Sequence, residues 1–570
     1  MAENSSLVQP CEHRQDVQVR FNDGRVFCAP SGTHIEAFVR KAASPQSIPV
    51  VAAVVNGRLA ELSEPLIADV DAEPISLASE DGMRIYQRSL VLLLQVAAAE
   101  LFSARITVDH SLTFGGLYCR AVNRDPFTEA ELAQIETRMR SIVASDAPIT
   151  HETMRLEDAM AFFKAEGDDA QVRLLSESDL QEIVMHVLRG VKEYFFGGYL
   201  VPSAGYLKQF AVRLFPPGFA LQFPQRHRPM ALEPAKLSPK ITAVFREYGQ
   251  WLYLLGVPDV GALNQALAHG RAREVVLVAE ALHTQRIAEI ASNVAARRGE
   301  VRLIAIAGPS SSGKTTFAKR LAIQLLANGL RPFPLSLDDY FLPREETPRD
   351  ARGNFDFENL HALDLSLFNA HLLALMNQDR VTLPRYNFEK GTREEGPTVS
   401  LSKDHVLLIE GIHGLNPNLV PQIPAERLYR IYVSALTQLK LDHLNRISTT
   451  DTRLIRRIVR DAASRGYTAR DTIGRWTSVR RGEDRNIFPF QEQADIMFNS
   501  ALAYELAVLK PMAEPLLRQV EPGAGEYVEA RRLLTFLEWF PSASPTLVPE
   551  NSILREFIGN SVVADFVPQI

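Results

Sequence analysis

The run Ala305-Ile306-Ala307-Gly308-Pro309-Ser310-Ser311-Ser312-Gly313-Lys314-Thr315-Thr316 carries the residue types that hold phosphate. Gly308 and Gly313 let the backbone N–H groups between them, those of Ser310, Ser311 and Ser312, turn inward around an anion. Residues 303–307 are all apolar and read as a buried strand; Phe317, Leu321 and Leu325 then recur at helical spacing. A helix opening at Thr316 adds the partial positive charge of its N-terminus. Lys314 has the reach for the outer phosphates of a nucleotide, and the Thr315 hydroxyl can ligate Mg²⁺. A Ser/Gly-rich surface turn is the plainer alternative; the strand before and the helix after favour the phosphate site.

Two further carboxylates stand at the ends of apolar runs. Residues 333–337 end in Asp338-Asp339-Tyr340-Phe341, and residues 406–409 end in Glu410-Gly411. The carboxyl ends of parallel strands are where open α/β sheets bind ligands. Glu410 takes the position of the acid that holds Mg²⁺ directly or through water. Farther on, Arg453, Arg456, Arg457 and Arg460 fall at i, i+3, i+4 and i+7, one face of a helix, with Leu454, Ile455, Ile458 and Val459 on the other. Four cations on one face repel each other unless anions meet them. Facing a triphosphate they would stabilise transferring charge, so this face is read as a phosphate-facing lid hinged at Arg465-Gly466. Residues 476–490, with Arg480, Arg481, Glu483, Asp484 and Arg485, read as a charged loop able to close over an acceptor.

These residues need a scaffold. The chain has 570 residues, more than one hydrophobic core supports, so several domains are expected. Hydrophobic content of 46% and charged content of 23% are those of globular protein. A net charge of −6 argues against wholesale nucleic-acid or membrane binding. The three cysteines, Cys11, Cys28 and Cys119, make neither a disulfide framework nor a CxxC metal site and fit a reducing cytoplasm. No apolar run reaches the ~18 residues of a membrane span; residues 90–99 are bounded by Arg88 and Glu100. The divisions expected are a disordered tail over 1–16, a small β-rich domain over 17–80, an α+β domain over 81–230, a helical connector over 231–298, the phosphate-binding domain over 299–510 and a helical extension over 511–570.

In the first of these domains, the turn Asn22-Asp23-Gly24 and the segment Ala53-Val54-Val55-Asn56-Gly57 resemble the TGS domain, a β-grasp module at the head of threonyl-tRNA synthetases. Residues 81–230 resemble the second additional domain of those enzymes, which edits mischarged tRNA with HxxxH and CxxxH ligands. Here His110 is followed four residues on by Phe114, and no CxxxH occurs. The metal-ligand set is therefore absent, and His110 is expected to be a satisfied structural or substrate-side histidine. The loop Phe196-Gly197-Gly198-Tyr199-Leu200-Val201-Pro202 reads as a tight turn under aromatic cover.

The succession of phosphate loop, D-D-Y-F, N-F-D-F, P-R-Y-N-F, I-E-G and D-T-R-L-I-R-R-I-V-R-D over residues 301–503 resembles the uridine kinase/phosphoribulokinase family. The resemblance implies an α/β P-loop kinase fold and transfer of the ATP γ-phosphate, with Mg²⁺, to a hydroxyl of a nucleoside. It implies Asp338 as the base toward that hydroxyl, Phe341 beside the sugar, Asp356 with Phe355 at the ribose, Tyr386 stacking near the base and Glu410 on Mg²⁺. Lys314, Arg456 and Arg460 join Asp338 as catalytic residues; Arg393 and Arg453 join the substrate-binding ones. The pyrimidine-reading histidine of uridine kinases is missing from 389–393, so another sugar-like acceptor is open. A second class of function is an RNA- or tRNA-linked regulatory P-loop NTPase. A small-molecule acceptor, no membrane and an optional homo-oligomer complete the expectations.

Overall fold

Alternation of Val17, Val19 and Phe21 buries one face of strand β1 (Asp16–Phe21) and starts a small mixed sheet. It continues through β2 (Val26–Pro30), helix α1 (Ile35–Ala42), β3 (Val50–Val55), β4 (Arg58–Glu61) and β5 (Val70–Ser76), in the order β2-β1-β5-β3-β4. β1 and β5 are parallel, as in a β-grasp. Asn56 and Gly57 both take positive φ, 49° and 79°, the backbone that a two-residue hairpin turn between β3 and β4 requires. This computed structural model describes residues 15–43, 48–236, 238–349, 353, 355–387 and 390–568; Cys11, Asn354, Phe388, Glu389 and residues 1–14 of the expected tail lie outside the described residues. Asp16 already belongs to β1 rather than to a tail.

The second domain opens with α2 (Glu80–Phe102), capped by the Ser79 hydroxyl, which accepts from Gly82 N. Among the described residues α2 alone is long and apolar enough to cross a membrane, because the helix extends beyond the apolar run at both ends. Its Leu90–Ala98 stretch (residues 90–98) is buried in the core of the domain. β6 (Arg105–Leu112), β7 (Gly116–Val122), α3 (Glu129–Ala144), β8 (Thr150–Arg155), α4 (Leu156–Ala165), α5 (Asp169–Ser176), β9 (Glu182–Leu188), β10 (Val191–Glu193), β11 (Ala211–Phe215) and β12 (Gly218–Gln222) follow. They form two antiparallel sheets, β11-β12-β7-β6 and β10-β9-β8. The connector holds α6 (Pro239–Leu254), α7 (Val260–Ala268) and α8 (Ala272–Ala296).

The fourth sheet is wholly parallel, in the order β14-β17-β13-β18-β19: β13 (Leu303–Ala307), β14 (Arg331–Ser336), β17 (His405–Glu410), β18 (Leu428–Ser434) and β19 (Ile496–Asn499). Side chains of β13 alternate between two cores. Ile304 and Ile306 meet α8 and α9 (Lys314–Ala327) through Ile290, Phe317 and Leu321; Leu303 and Ala305 meet α10 (Leu365–Met376) through Phe368 and Leu372. The result is an α/β layered domain with helices on both faces of a parallel sheet, as expected. The hairpin β15 (Val381–Asn387) and β16 (Thr392–Val399) stands apart from that sheet.

Five helices complete the chain: α11 (Thr449–Arg465), α12 (Ala469–Asn486), α13 (Glu505–Leu517), α14 (Tyr527–Leu537) and α15 (Arg555–Ile558). The division expected at 510 falls inside α13. Leu454, Ile455, Ile458 and Val459 of α11 share one core with Phe163 and Leu174 of the second domain, Val260 of α7 and Leu506, Leu509 and Leu533 of α13 and α14.

Candidate active site

Register brings the chemistry to one edge. Glu410, at the end of β17, pairs with Ile306 on β13 and with Ser336 on β14. The loops after all three strands therefore open on one side of the sheet, where they wall a cleft of about 1350 Å³ lined by Ser310, Lys314, Thr315, Asp338, Phe341 and Glu410 among others.

The phosphate loop is shaped by close packing. A Cβ on Gly308 would collide with the Val433 carbonyl, and Gly313 takes φ +84° against Ile553. Ser311, at φ +59°, and Ser312 leave buried hydroxyls without a protein partner. Lys314 Nζ donates to Pro309 O (3.0 Å), and burial pushes its ammonium below the ordinary range. Thr315 Oγ1 donates to Glu410 Oε2 at 3.0 Å. A hydroxyl beside a carboxylate is a hard-oxygen donor pair suited to Mg²⁺. Burial, only partly offset by Lys314, holds the Glu410 carboxyl above its usual range; burial and then Asp339 do the same for Asp338.

The expected acceptor residues are divided. Phe341 lines the cleft with Phe357. Tyr386 stands behind it, ring centroids 5.8 Å from Phe341, while Phe355 lies 6.0 Å from Phe357, so the four rings form a continuous aromatic wall. Asp356 accepts from Arg485 at 3.3 Å. Arg393 does not line the cleft: it is the cross-strand partner of Tyr386 and is tied to Asp364 at 2.8 Å.

The arginine helix differs from a lid. Arg453 Nε donates to Ser310 O (2.9 Å) and its guanidinium pairs with Glu483, which also accepts from Ser310 N at 2.9 Å. Arg456, 0% exposed, pairs with Glu505 (2.5 Å) and donates to Ser500 O (2.8 Å). These two cations brace the phosphate loop from behind and do not line the cleft; Arg457 and Arg460 line it, with Arg465 at the end of the helix. Burial of the opposite, apolar face fixes the helix in place. Residues 476–490 are likewise mostly the helix α12, begun by a Thr468–Asp471 capping box and anchored by buried Ile473 and Trp476, rather than a loop.

Several cleft residues were not legible as site residues. Glu358 lines it, its carboxyl raised to about 7 by burial, Glu483 and Asp356. His413, three residues after Glu410, is buried in the wall with Nδ1 unpartnered; burial pushes its imidazole down to about 4, so it is neutral at pH 7. Glu556 of α15 accepts from Thr316 N at 3.1 Å, at the N-terminus of α9. Nothing local to residue 556 signals this contact. His110 lies outside this cleft, in a second one, stacked against Phe245 and Tyr118 with both ring nitrogens unpartnered rather than satisfied.

Residues 303–506 match the Phosphoribulokinase / Uridine kinase family. The match covers the parallel-sheet domain. A uridine kinase of Deinococcus deserti is 29% identical to the chain over 203 residues, 35% of this chain and 88% of that kinase. The N-terminal region is similar to threonine--tRNA ligases: that of Polaromonas sp. is 32% identical over 157 residues, 27% of this chain and 25% of the ligase. The chain thus spans a quarter of that ligase's length. Among solved structures, a possible uridine kinase from Bacillus stearothermophilus is 20% identical, covering 38% of this chain and 98% of its own, with a TM-score of 0.25. The parallel-sheet domain keeps its phosphate loop, Asp338 and Glu410 in one cleft, and part of the second domain, with α7, α13 and α14, packs around the helix that braces it.

Proposed function

We propose that this chain is an ATP- and Mg²⁺-dependent kinase for a hydroxyl of a nucleoside or similarly sugar-like acceptor. The observation that carries this reading is the convergence of Lys314, Thr315, Asp338 and Glu410 at the carboxyl edge of the parallel sheet. The similarity to a uridine kinase supports a nucleoside acceptor. ATP bound with Mg²⁺ supplies the transferable phosphoryl group and neutralises its charge. Thr315 and Glu410 would hold the cation, and the N–H groups of the loop with Lys314 would hold the phosphates. Asp338 orients the acceptor hydroxyl and takes its proton as that oxygen bonds the γ-phosphorus and the bond from the phosphorus to the bridging oxygen of ADP breaks, ADP leaving. Arg457 and Arg460 offer guanidinium groups to developing charge. Phe341 and Phe357 exclude water from the acceptor side, and neutral His413 offers a hydrogen-bonding edge.

The test is ADP release by the purified full chain with Mg-ATP and a panel of nucleosides and pentoses. Release that depends on one of these acceptors supports the reading; none with any acceptor overturns it. The similarity of the N-terminal region to threonine--tRNA ligases favours one other reading, an RNA-linked NTPase. It is the better one if RNA, and no small acceptor, stimulates ADP release.

A further inference from the structure

The register of β8 on β9 makes His151 and His186 direct cross-strand partners. Their rings lie 4.9 Å apart at 83°. Glu61, at the end of β4 in the first domain, reaches across the domain boundary, and its Oε2 lies 3.0 Å from His151 Nε2. One donor atom from each of the three lies within 4.8 Å of the others.

Each residue is held by a neighbour. His186 is 0% exposed, and its Nε2 bonds to Gly198 O at 2.7 Å. With the Nε2 proton given to that carbonyl, the lone pair falls on Nδ1, which is buried and has no partner. An imidazole fixed this way by a backbone carbonyl is the usual arrangement of a metal-ligating histidine. Glu61 is oriented by Leu200 N (2.6 Å on Oε1) and by Ser63 Oγ (3.1 Å on Oε2). Gly198 and Leu200 both belong to the loop 196–202, whose glycines 197 and 198 take positive φ. The conformation of that loop thus delivers a carbonyl to His186 and an N–H to Glu61. The His151 side chain is 38% exposed, which leaves an entry path and room for a solvent ligand.

We propose that Glu61, His151 and His186 bind one divalent cation of the Zn²⁺ class, fastening the first domain to the second. Two imidazole nitrogens and one carboxylate oxygen suit Zn²⁺ or Co²⁺; Mg²⁺ and Ca²⁺ prefer sites built wholly from oxygen. Three protein ligands leave a fourth position for water. The site is independent of the kinase cleft and shares no residue with it.

The test uses the full chain stripped by a chelator, dialysed and titrated with Zn²⁺ in excess Mg²⁺, which occupies oxygen-only sites. Calorimetry gives stoichiometry and affinity, and Co²⁺ gives the visible absorption of a low-symmetry nitrogen-oxygen site. One equivalent is expected, with affinity reduced by at least about tenfold in His151→Ala and in Glu61→Gln, since losing a ligand costs no less than losing its supporting partner. His151 is exposed, so that variant keeps its fold, checked by its metal-free melting temperature. Zn²⁺ should raise the melting temperature of the parent chain and not that of His151→Ala. Equal stoichiometry and affinity in parent and His151→Ala, or no stoichiometric binding by the parent, overturns the proposal.

Discussion

Asp338 faces the cleft with Lys314 close enough to favour its charged form, while burial and Asp339 oppose it. A carboxylate so placed suits a base whose main work is to orient a hydroxyl. In Asp338→Asn, acceptor-dependent ADP release should fall about 10²–10⁴-fold with ATP affinity kept, read by steady-state kinetics beside nucleotide titration. Full activity in that variant would remove the base assignment. Glu358 gives a pH signature. Its carboxyl is held at about 7 in the folded chain, above the ordinary 4.5 of an unfolded one. The folded state therefore binds this proton more tightly, and stability is lost as pH rises from 4.5 through about 7. Glu358→Gln should raise the melting temperature at about pH 8 and leave it nearly unchanged at about pH 5, measured by thermal unfolding across that range.

At the scale of elements, the N-terminus of α9 and the helix α11 decide how the phosphate loop behaves. Glu556 already places a carboxylate on Thr316 N, where helix polarity attracts anions, and its other oxygen lies 3.8 Å from Arg460. A phosphate arriving at that terminus meets a like charge. Glu556→Gln should tighten ATP binding about two- to fivefold, the worth of one charge at a helix end, measured by calorimetry with the full chain. Unchanged or weaker binding would show that Glu556 assists the nucleotide instead. The α11 arginines divide into two classes that their spacing alone does not separate. Arg453 and Arg456 are buried with Glu483 and Glu505, so truncating either strands a buried charge. Arg456→Ala should cost about 3–5 kcal/mol in denaturant unfolding, whereas Arg460→Ala should leave stability nearly intact and lower the catalytic rate.

Across the whole molecule, the kinase domain and the N-terminal region are joined through shared cores. The stretch after β18 enters the second domain: Leu444 is buried in that domain's core, His443 O accepts from Val108 N (2.8 Å), and Asn445 accepts from Phe196 N (3.0 Å). Leu444→Ala should cost about 2–5 kcal/mol, seen as a lower denaturant midpoint for the second domain and the kinase domain together. Independent loss of one transition would show that the two halves unfold separately. The sequence by itself determined the phosphate loop, the acids closing two strands and the one-sided arginines, because strand–turn–helix geometry and a period of 3.6 are local properties. It also determined a parallel α/β domain behind a β-grasp, since apolar runs and turn residues mark such elements directly. Tertiary structure alone decided which arginines face the cleft, because burial of the α11 apolar face against distant helices sets its rotation. It alone set Glu556 against Thr316, 240 residues away, and His151 beside His186 and Glu61. Those pairings depend on sheet register and domain packing, which no local pattern encodes.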